Sequence, residues 1–250
     1  MLTSRQNSEV KRLRALASQK KARDLSGQFY GDSPKLLLEA IGRRLEVTSV
    51  LGTGPRPGYL PGDVPYQETD PEIIDYISPQ ASPQGIVFSA RIPVSAEKPT
   101  LKNAVILESI QDPGNLGTLI RTANAFGAGW VILTGSCADL WSAKTLRASM
   151  GAVFRQRTAV LTLEELSALR EREGAVLLGA ALSDRSRDLR LVKYESPAVC
   201  IGNEGNGLSR RLLEMCNEEI IIPMVPDCES LNASAAGAVV MWELLGRRLP

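Results

Sequence analysis

Histidine is absent from all 250 residues. Without imidazole there can be no Ser–His–Asp triad, no histidine general base and no histidine ligand for zinc. The four cysteines, Cys137, Cys200, Cys216 and Cys228, include no CxxC pair, so no metal site is expected. No apolar run approaches the ~20 residues of a membrane span. The first residues, Met1-Leu2-Thr3-Ser4-Arg5-Gln6-Asn7, lack the apolar core of a signal peptide, which predicts a cytoplasmic protein. The GK[ST] of a phosphate-binding loop is missing as well. The glycine cluster Gly202-Asn203-Glu204-Gly205-Asn206-Gly207 is spaced GxxGxG, not the GxGxxG of a dinucleotide fold, which argues against a nicotinamide-dependent dehydrogenase.

What is present is an ordinary globular composition, 44% hydrophobic and 23% charged, long enough for one or two domains. The net charge of +1 hides an asymmetry. Residues 1–24 carry seven basic residues (Arg5, Lys11, Arg12, Arg14, Lys20, Lys21, Arg23) against Glu9 and Asp24, a net of +5 that leaves about −4 for the rest. A basic helical segment on a near-neutral body suggests contact with a polyanion, although such runs are commonly solvated helix faces.

The pattern along the chain predicts a small α/β unit followed by a larger one. In the first, Val10, Leu13, Leu16 and Ala17 recur at helical spacing, Gln28–Tyr30 reads as a strand, Pro34–Ile41 as a helix, and residues 45–51 and 85–90 as strands. A Gly/Pro-rich loop fills 52–65, a short helix spans 71–77, and 93–99 reads as a linker. From residue 104 apolar strands (104–108, 130–133, 175–179, 198–201, 220–224) alternate with helices (116–126, 143–150, 163–173, 208–215, 231–245). Unbroken apolar runs mean strands covered on both faces, hence a parallel sheet flanked by helices. Near the end, Ile220-Ile221-Ile222 stops at Pro223, and a loop follows through Pro226, Asp227, Cys228 and Glu229. Ser230 or Asn232 then caps a helix that begins with the nearly volumeless Ala233-Ser234-Ala235-Ala236-Gly237. Such a helix start lets another backbone or a flat ligand come close.

Three segments stand in order at strand ends: Asp112-Pro113-Gly114-Asn115-Leu116-Gly117-Thr118-Leu119-Ile120-Arg121, Gly202-Asn203-Glu204-Gly205-Asn206-Gly207-Leu208-Ser209, and Ile222-Pro223-Met224 followed by Ser230-Leu231-Asn232-Ala233-Ser234. Together they closely resemble the signature motifs of the SpoU (TrmH) family of RNA ribose methyltransferases, in the SPOUT superfamily. Lys144-Thr145-Leu146-Arg147-Ala148-Ser149-Met150-Gly151-Ala152 is similar to the family's K..R.S.GA element. The resemblance is strong over 104–245 and looser over the first hundred residues.

The resemblance implies an α/β fold with a C-terminal parallel-sheet methyltransferase domain knotted as a deep trefoil, at 101–250. Before it come a ribosomal-protein-like α/β domain that binds RNA substrate, at 25–98, and the basic helical segment 1–24. It implies S-adenosylmethionine as cofactor, a structured RNA (rRNA over tRNA) as substrate, and a homodimer. Carried over residue by residue, Gly202, Ile222 and Leu231 match cofactor positions, with Asn203, Gly205 and Met224 beside them and Thr134 and Gly135 expected to line the same pocket. Arg121 matches the family's essential arginine, and Asn115, Glu204, Ser230 and Asn232 its polar active-site positions. A guanidinium with pKa above ~12 stays charged at pH 7, so Arg121 suits phosphate holding and charge stabilisation better than proton abstraction. Asp112 stands where many relatives have asparagine, at a position that caps a turn. Two alternatives remain: an RNA-binding knot-fold protein without catalysis, and a methyltransferase directed at a base.

Overall fold

The structure is a computed structural model that describes residues 1–225 and 230–248. The expected loop at Pro226, Asp227, Cys228 and Glu229, and residues 249–250 of the second expected domain, lie outside the described residues. The chain divides into two units: residues 1–94 with 139–154, and 95–138 with 155 onward.

In the first unit, α1 (Ser8–Ser18) is capped by Asn7, whose side chain accepts from the Glu9 amide, and buries Val10, Leu13 and Leu16. The expected helical segment 1–24 is two helices: α2 (Lys20–Ser26) follows α1 after Gln19 and stops at Gly27 in the left-handed region, φ 61°. Strand β1 (Gln28–Gly31), helix α3 (Pro34–Gly42), β2 (Val47–Gly52), the short β3 (Tyr66–Glu68), α4 (Pro71–Ile77) and β4 (Ile86–Arg91) complete this part. The sheet order is β1-β4-β2-β3, antiparallel except for the β2–β3 pair. Leu13, Leu16, Tyr30, Leu51, Ile73, Ile77 and Val87 form its core. Residues 1–24 are thus not a separate basic segment. Leu13 is fully buried, and Arg23, with 5% exposure, is built into the fold.

The second unit opens with β5 (Val105–Glu108), α5 (Pro113–Ala125) and β6 (Val131–Thr134). Helix α5 starts three residues earlier than 116 because Asp112 caps it, accepting from the Asn115 amide at 2.9 Å. The chain then returns to the first unit for residues 139–154, which carry α6 (Ala143–Ser149). This arm packs on β1 of its own unit. Phe29 lies 5.3 Å from both Trp141 and Phe154, and Arg23 binds Asp139 through Nε at 2.9 Å and Nη2 at 2.5 Å. Arg147 pairs with Asp32, which is wholly buried. The contacts of the K..R.S.GA element thus fall with the first unit, although in sequence the element sits inside the expected 101–250 domain. Local pattern gives a helix there but cannot say which core receives its apolar face.

Back in the second unit come β7 (Thr158–Val160), α7 (Leu163–Glu173), β8 (Leu177–Ala180), β9 (Arg187–Asp188), β10 (Ala198–Ile201), α8 (Arg210–Met215), β11 (Glu218–Ile221) and α9 (Ala233–Leu244). Every neighbouring pair in the sheet is parallel, in the order β7-β6-β5-β10-β8-β11-β9. Strand order reverses between β5 and β10, with β6 and β7 on one side and β8, β11 and β9 on the other. Such a switch point opens a crevice at the carboxyl ends of the strands. Helix α9 lies against α5 at Gly237, where an added Cβ would meet Leu119 Cδ2 at 2.3 Å. The small residues at its start serve that close approach.

Candidate active site and cofactor cavity

A cavity of about 460 Å³ opens at the carboxyl ends of β8, β10 and β11, within the usual range for small-molecule sites. Its walls come from the loops after β8, β10 and β11 and from the start of α9. All residues from Gly202 to Leu208 line it, as do Ile222, Met224, Ser230 and Leu231. The loop 202–208 is closed on itself: Asn203 and Gly207 exchange backbone hydrogen bonds at 3.0 and 2.9 Å, and Asn203 Oδ1 accepts from the amides of Gly205 and Asn206. Gly202 is obligatory to that closure. A Cβ there would stand 2.2 Å from the Gly207 carbonyl carbon, inside any allowed contact. The same loop is tied back to β5, since Asn203 Nδ2 donates to the Ser109 carbonyl at 3.0 Å.

Polar groups gather beside it. Asn115, in the first turn of α5, donates through Nδ2 to Glu204 Oε1 at 2.5 Å, and Asn232 Nδ2 donates to Asn115 Oδ1 at 3.2 Å. Asn232, rather than Ser230, is the cap of α9, its Oδ1 accepting from the amides of Ser234 and Ala235. One cap residue thereby fixes the helix start and one end of the polar network. Glu204 is both a cavity wall and a member of the network.

Of the expected cofactor residues, Gly202, Asn203, Gly205, Ile222, Met224 and Leu231 line the cavity; Thr134 and Gly135 do not. Thr134, at the end of β6, is 1% exposed, and Gly135, with φ 65°, is backed by the Ser109 hydroxyl. They shape the neighbouring strand end, beyond β5 from the cavity. The expected polar residues Asn115, Glu204 and Asn232 are brought together, and Ser230 lines the cavity. Arg121 is not with them. It is exposed on α5 and makes no hydrogen bond or ion pair among the described residues. Six residues separate it from Asn115, about 9 Å of rise and roughly 240° of rotation, so the two side chains leave α5 on different faces. Sequence reasoning missed Ala180, Ala181 and Leu182, which line the cavity after β8. They carry no polar signal; only the position of β8 beside β10 exposes them to it.

The cavity fits an adenosine-containing ligand. It offers backbone of a glycine loop that a side chain at 202 would obstruct, set against apolar walls from Leu208, Ile222 and Leu231. Residues 102–242 match the model of the SpoU rRNA Methylase family. The chain belongs to that family. It is an RNA methyltransferase whose cofactor is S-adenosylmethionine. Among its relatives is the 23S rRNA guanosine 2'-O-methyltransferase RlmP of Bacillus subtilis, 34% identical over 66% of each chain. An uncharacterised tRNA/rRNA methyltransferase of Synechocystis is 32% identical over 97% of this chain and 92% of its own. An AdoMet-bound rRNA methyltransferase from Sinorhizobium meliloti is 30% identical, covers 100% of this chain and 98% of its own, and superposes with a TM-score of 0.87. Among the described residues no helix is long and apolar enough to cross a membrane.

Proposed function

We propose that the chain methylates a ribose 2'-hydroxyl of ribosomal RNA in the cytoplasm, and that it works as a homodimer. The observation that carries this reading is Glu204, which joins the cofactor cavity to the Asn115–Asn232 network. A hydroxyl docked there meets a carboxylate acceptor and two amides, the donors and acceptors that a ribose edge requires. S-adenosylmethionine supplies an activated methyl, so orienting the hydroxyl in line contributes much of the rate. Gly202, Asn203, Gly205, Ile222, Met224 and Leu231 would hold it. Asn115 and Asn232 fix the angle of Glu204, and Glu204 takes the hydrogen bond of the hydroxyl.

Arg121 supplies the remaining charge, and the reading assigns it to the site of the other subunit. Its exposure, its lack of a partner among the described residues and its rotation away from Asn115 support this. So does α9, which carries a single charged residue, Glu243, and leaves Val239 and Trp242 at 43% and 51% exposure. A helix apolar on nearly all faces needs cover on its outer one. The deep trefoil knot of the family is part of the proposal; insertion of β10 between β5 and β8, with α9 returning onto α5, is the topology that supports it. The first unit is assigned to RNA binding, with Lys11, Lys20 and Lys21 exposed on it.

The test is a map of methylated nucleotides in RNA from cells with and without the protein, paired with transfer assays on purified full-length chain. A ribose methyl on rRNA that disappears with the protein is expected. A lost base methyl instead, or none, would overturn the assignment.

A further inference from the structure

One buried charge in the second unit has no role in the network above. Glu108 ends β5 at 5% exposure, and among the described residues it pairs with no cation. Both of its oxygens are taken by one residue: Oε2 accepts from the Ser209 amide at 2.6 Å and Oε1 from the Ser209 hydroxyl at 2.7 Å. A carboxylate buried on two neutral donors carries a desolvation cost that only those hydrogen bonds offset, so its position is held tightly to them. Ser209 follows directly on the stretch 202–208, every residue of which lines the cavity. At the other end of that stretch Asn203 is bound to the carbonyl of Ser109, the next residue after Glu108. Two consecutive residues at the end of β5 thus grip both ends of the cavity loop. The Ser209 hydroxyl, oriented by Glu108, also accepts from the Leu212 amide at 3.2 Å and starts α8.

We infer that Glu108 is a positioning residue for cofactor binding, acting through Ser209 to set the height of the 202–208 loop over the cavity. The inference rests on the reading of that cavity as the S-adenosylmethionine site. A carboxylate suits the task because it only accepts, and the two Ser209 donors need two acceptors on one rigid group. Glutamine keeps an acceptor for the Ser209 amide but can only donate to the Ser209 hydroxyl, so Glu108→Gln reverses that bond and replaces two charge-assisted bonds by neutral ones. Ser209→Ala removes the hydroxyl half, and Ser209→Thr keeps it.

The experiment measures S-adenosylmethionine affinity by calorimetry on full-length Glu108→Gln, Ser209→Ala, the double variant and Ser209→Thr, with amide exchange of 202–208 recorded without cofactor. The two single variants should each bind about tenfold more weakly, as loss of a hydrogen bond to a charged group does. The double variant should bind no worse than the poorer single, Ser209→Thr should match wild type, and exchange in the loop should quicken in both singles. Wild-type affinity and exchange in either single variant, or losses that simply add in the double, would overturn the inference. If Glu108→Gln fails to fold, the Ser209→Ala and Ser209→Thr pair decides alone. If wild type itself does not bind S-adenosylmethionine, the reading of the cavity falls, and the exchange rates still decide whether Glu108 holds the loop.

Discussion

A methyl group is the smallest change a residue can undergo, and at position 202 it is too large. Because the obstruction is backbone at 2.2 Å, the loop must open to admit it. Gly202→Ala should therefore lose at least tenfold in S-adenosylmethionine affinity by calorimetry, with its melting transition retained. Unchanged affinity would remove the closed loop from the site. Asp32 makes a second test. Burial pushes its carboxyl up from the ordinary range, against the opposing pull of the Arg147 guanidinium. The folded chain then holds that proton more tightly than the unfolded one, so the group adds stability at acid pH that fades as pH rises out of the usual carboxylate range near ~3.9. The stability of wild type relative to Asp32→Asn should fall between pH 4 and pH 7 in urea titrations. A flat difference would mean that Asp32 keeps an ordinary pKa. Residues whose work is local were readable from sequence: Asp112 and Asn232 cap within three positions of themselves, and the glycines of 202–207 mark backbone without side chains. Thr134 and Gly135 fall outside the cavity, and Ala180–Leu182 within it, because which strand end borders the cavity depends on sheet order, which no neighbouring residue encodes.

At the scale of elements, periodicity found the long helices and the buried strands, since their apolar spacing is the cause of their burial. It missed β3, β7 and β9, pieces of two or three residues whose pairing comes from a neighbour already in place. It also ran the last strand to 224, whereas β11 ends at Ile221, ahead of Pro223. Helix α1 is the instructive case, because its basic residues suggest a segment given over to contact with a polyanion. Arg12 instead binds Glu9 at 2.6 Å and Ser89 Oγ at 2.8 Å, and Arg14 lies 3.8 Å over the Tyr76 ring. Removing residues 1–24 would therefore gut a core rather than trim an RNA contact. Leu13→Ala should cost about 2–5 kcal/mol of stability in urea unfolding, the price of an unfilled core site. Replacing Lys11, Lys20 and Lys21 together by glutamine should leave stability within ~0.5 kcal/mol, as surface changes do. That variant should flatten the dependence of RNA affinity on salt by as much as ~2–3 in logarithmic slope. An unchanged slope would make the three lysines ordinary solvated charges.

For the molecule as a whole, a shared site has a measurable signature. Arg121→Ala should lower methyl transfer roughly 10²–10³-fold while S-adenosylmethionine affinity stays within about threefold. Mixed with Gly202→Ala, at a cofactor concentration too low to load that variant, it should regain roughly a quarter of wild-type activity. Random pairing makes half the dimers mixed, and each of these has one intact cavity facing one intact arginine. No recovery after subunit exchange would place Arg121 in its own site. Trp242→Lys, on the outer face of α9, should shift sedimentation toward monomer and lower activity with it; full activity as a monomer would remove the dimer from the proposal. The arm of residues 139–154 has a consequence for how such a chain can be cut. It is encoded in the middle of the methyltransferase region, yet its aromatic and charged partners, Phe29, Arg23 and Asp32, are encoded before residue 33. A gene for residues 101–250 would leave Trp141 and Phe154 without their stacking partner, and a gene for 1–94 would leave Asp32 buried without its guanidinium. Neither half is a finished article, but the two co-expressed should find each other and co-purify as a nicked whole.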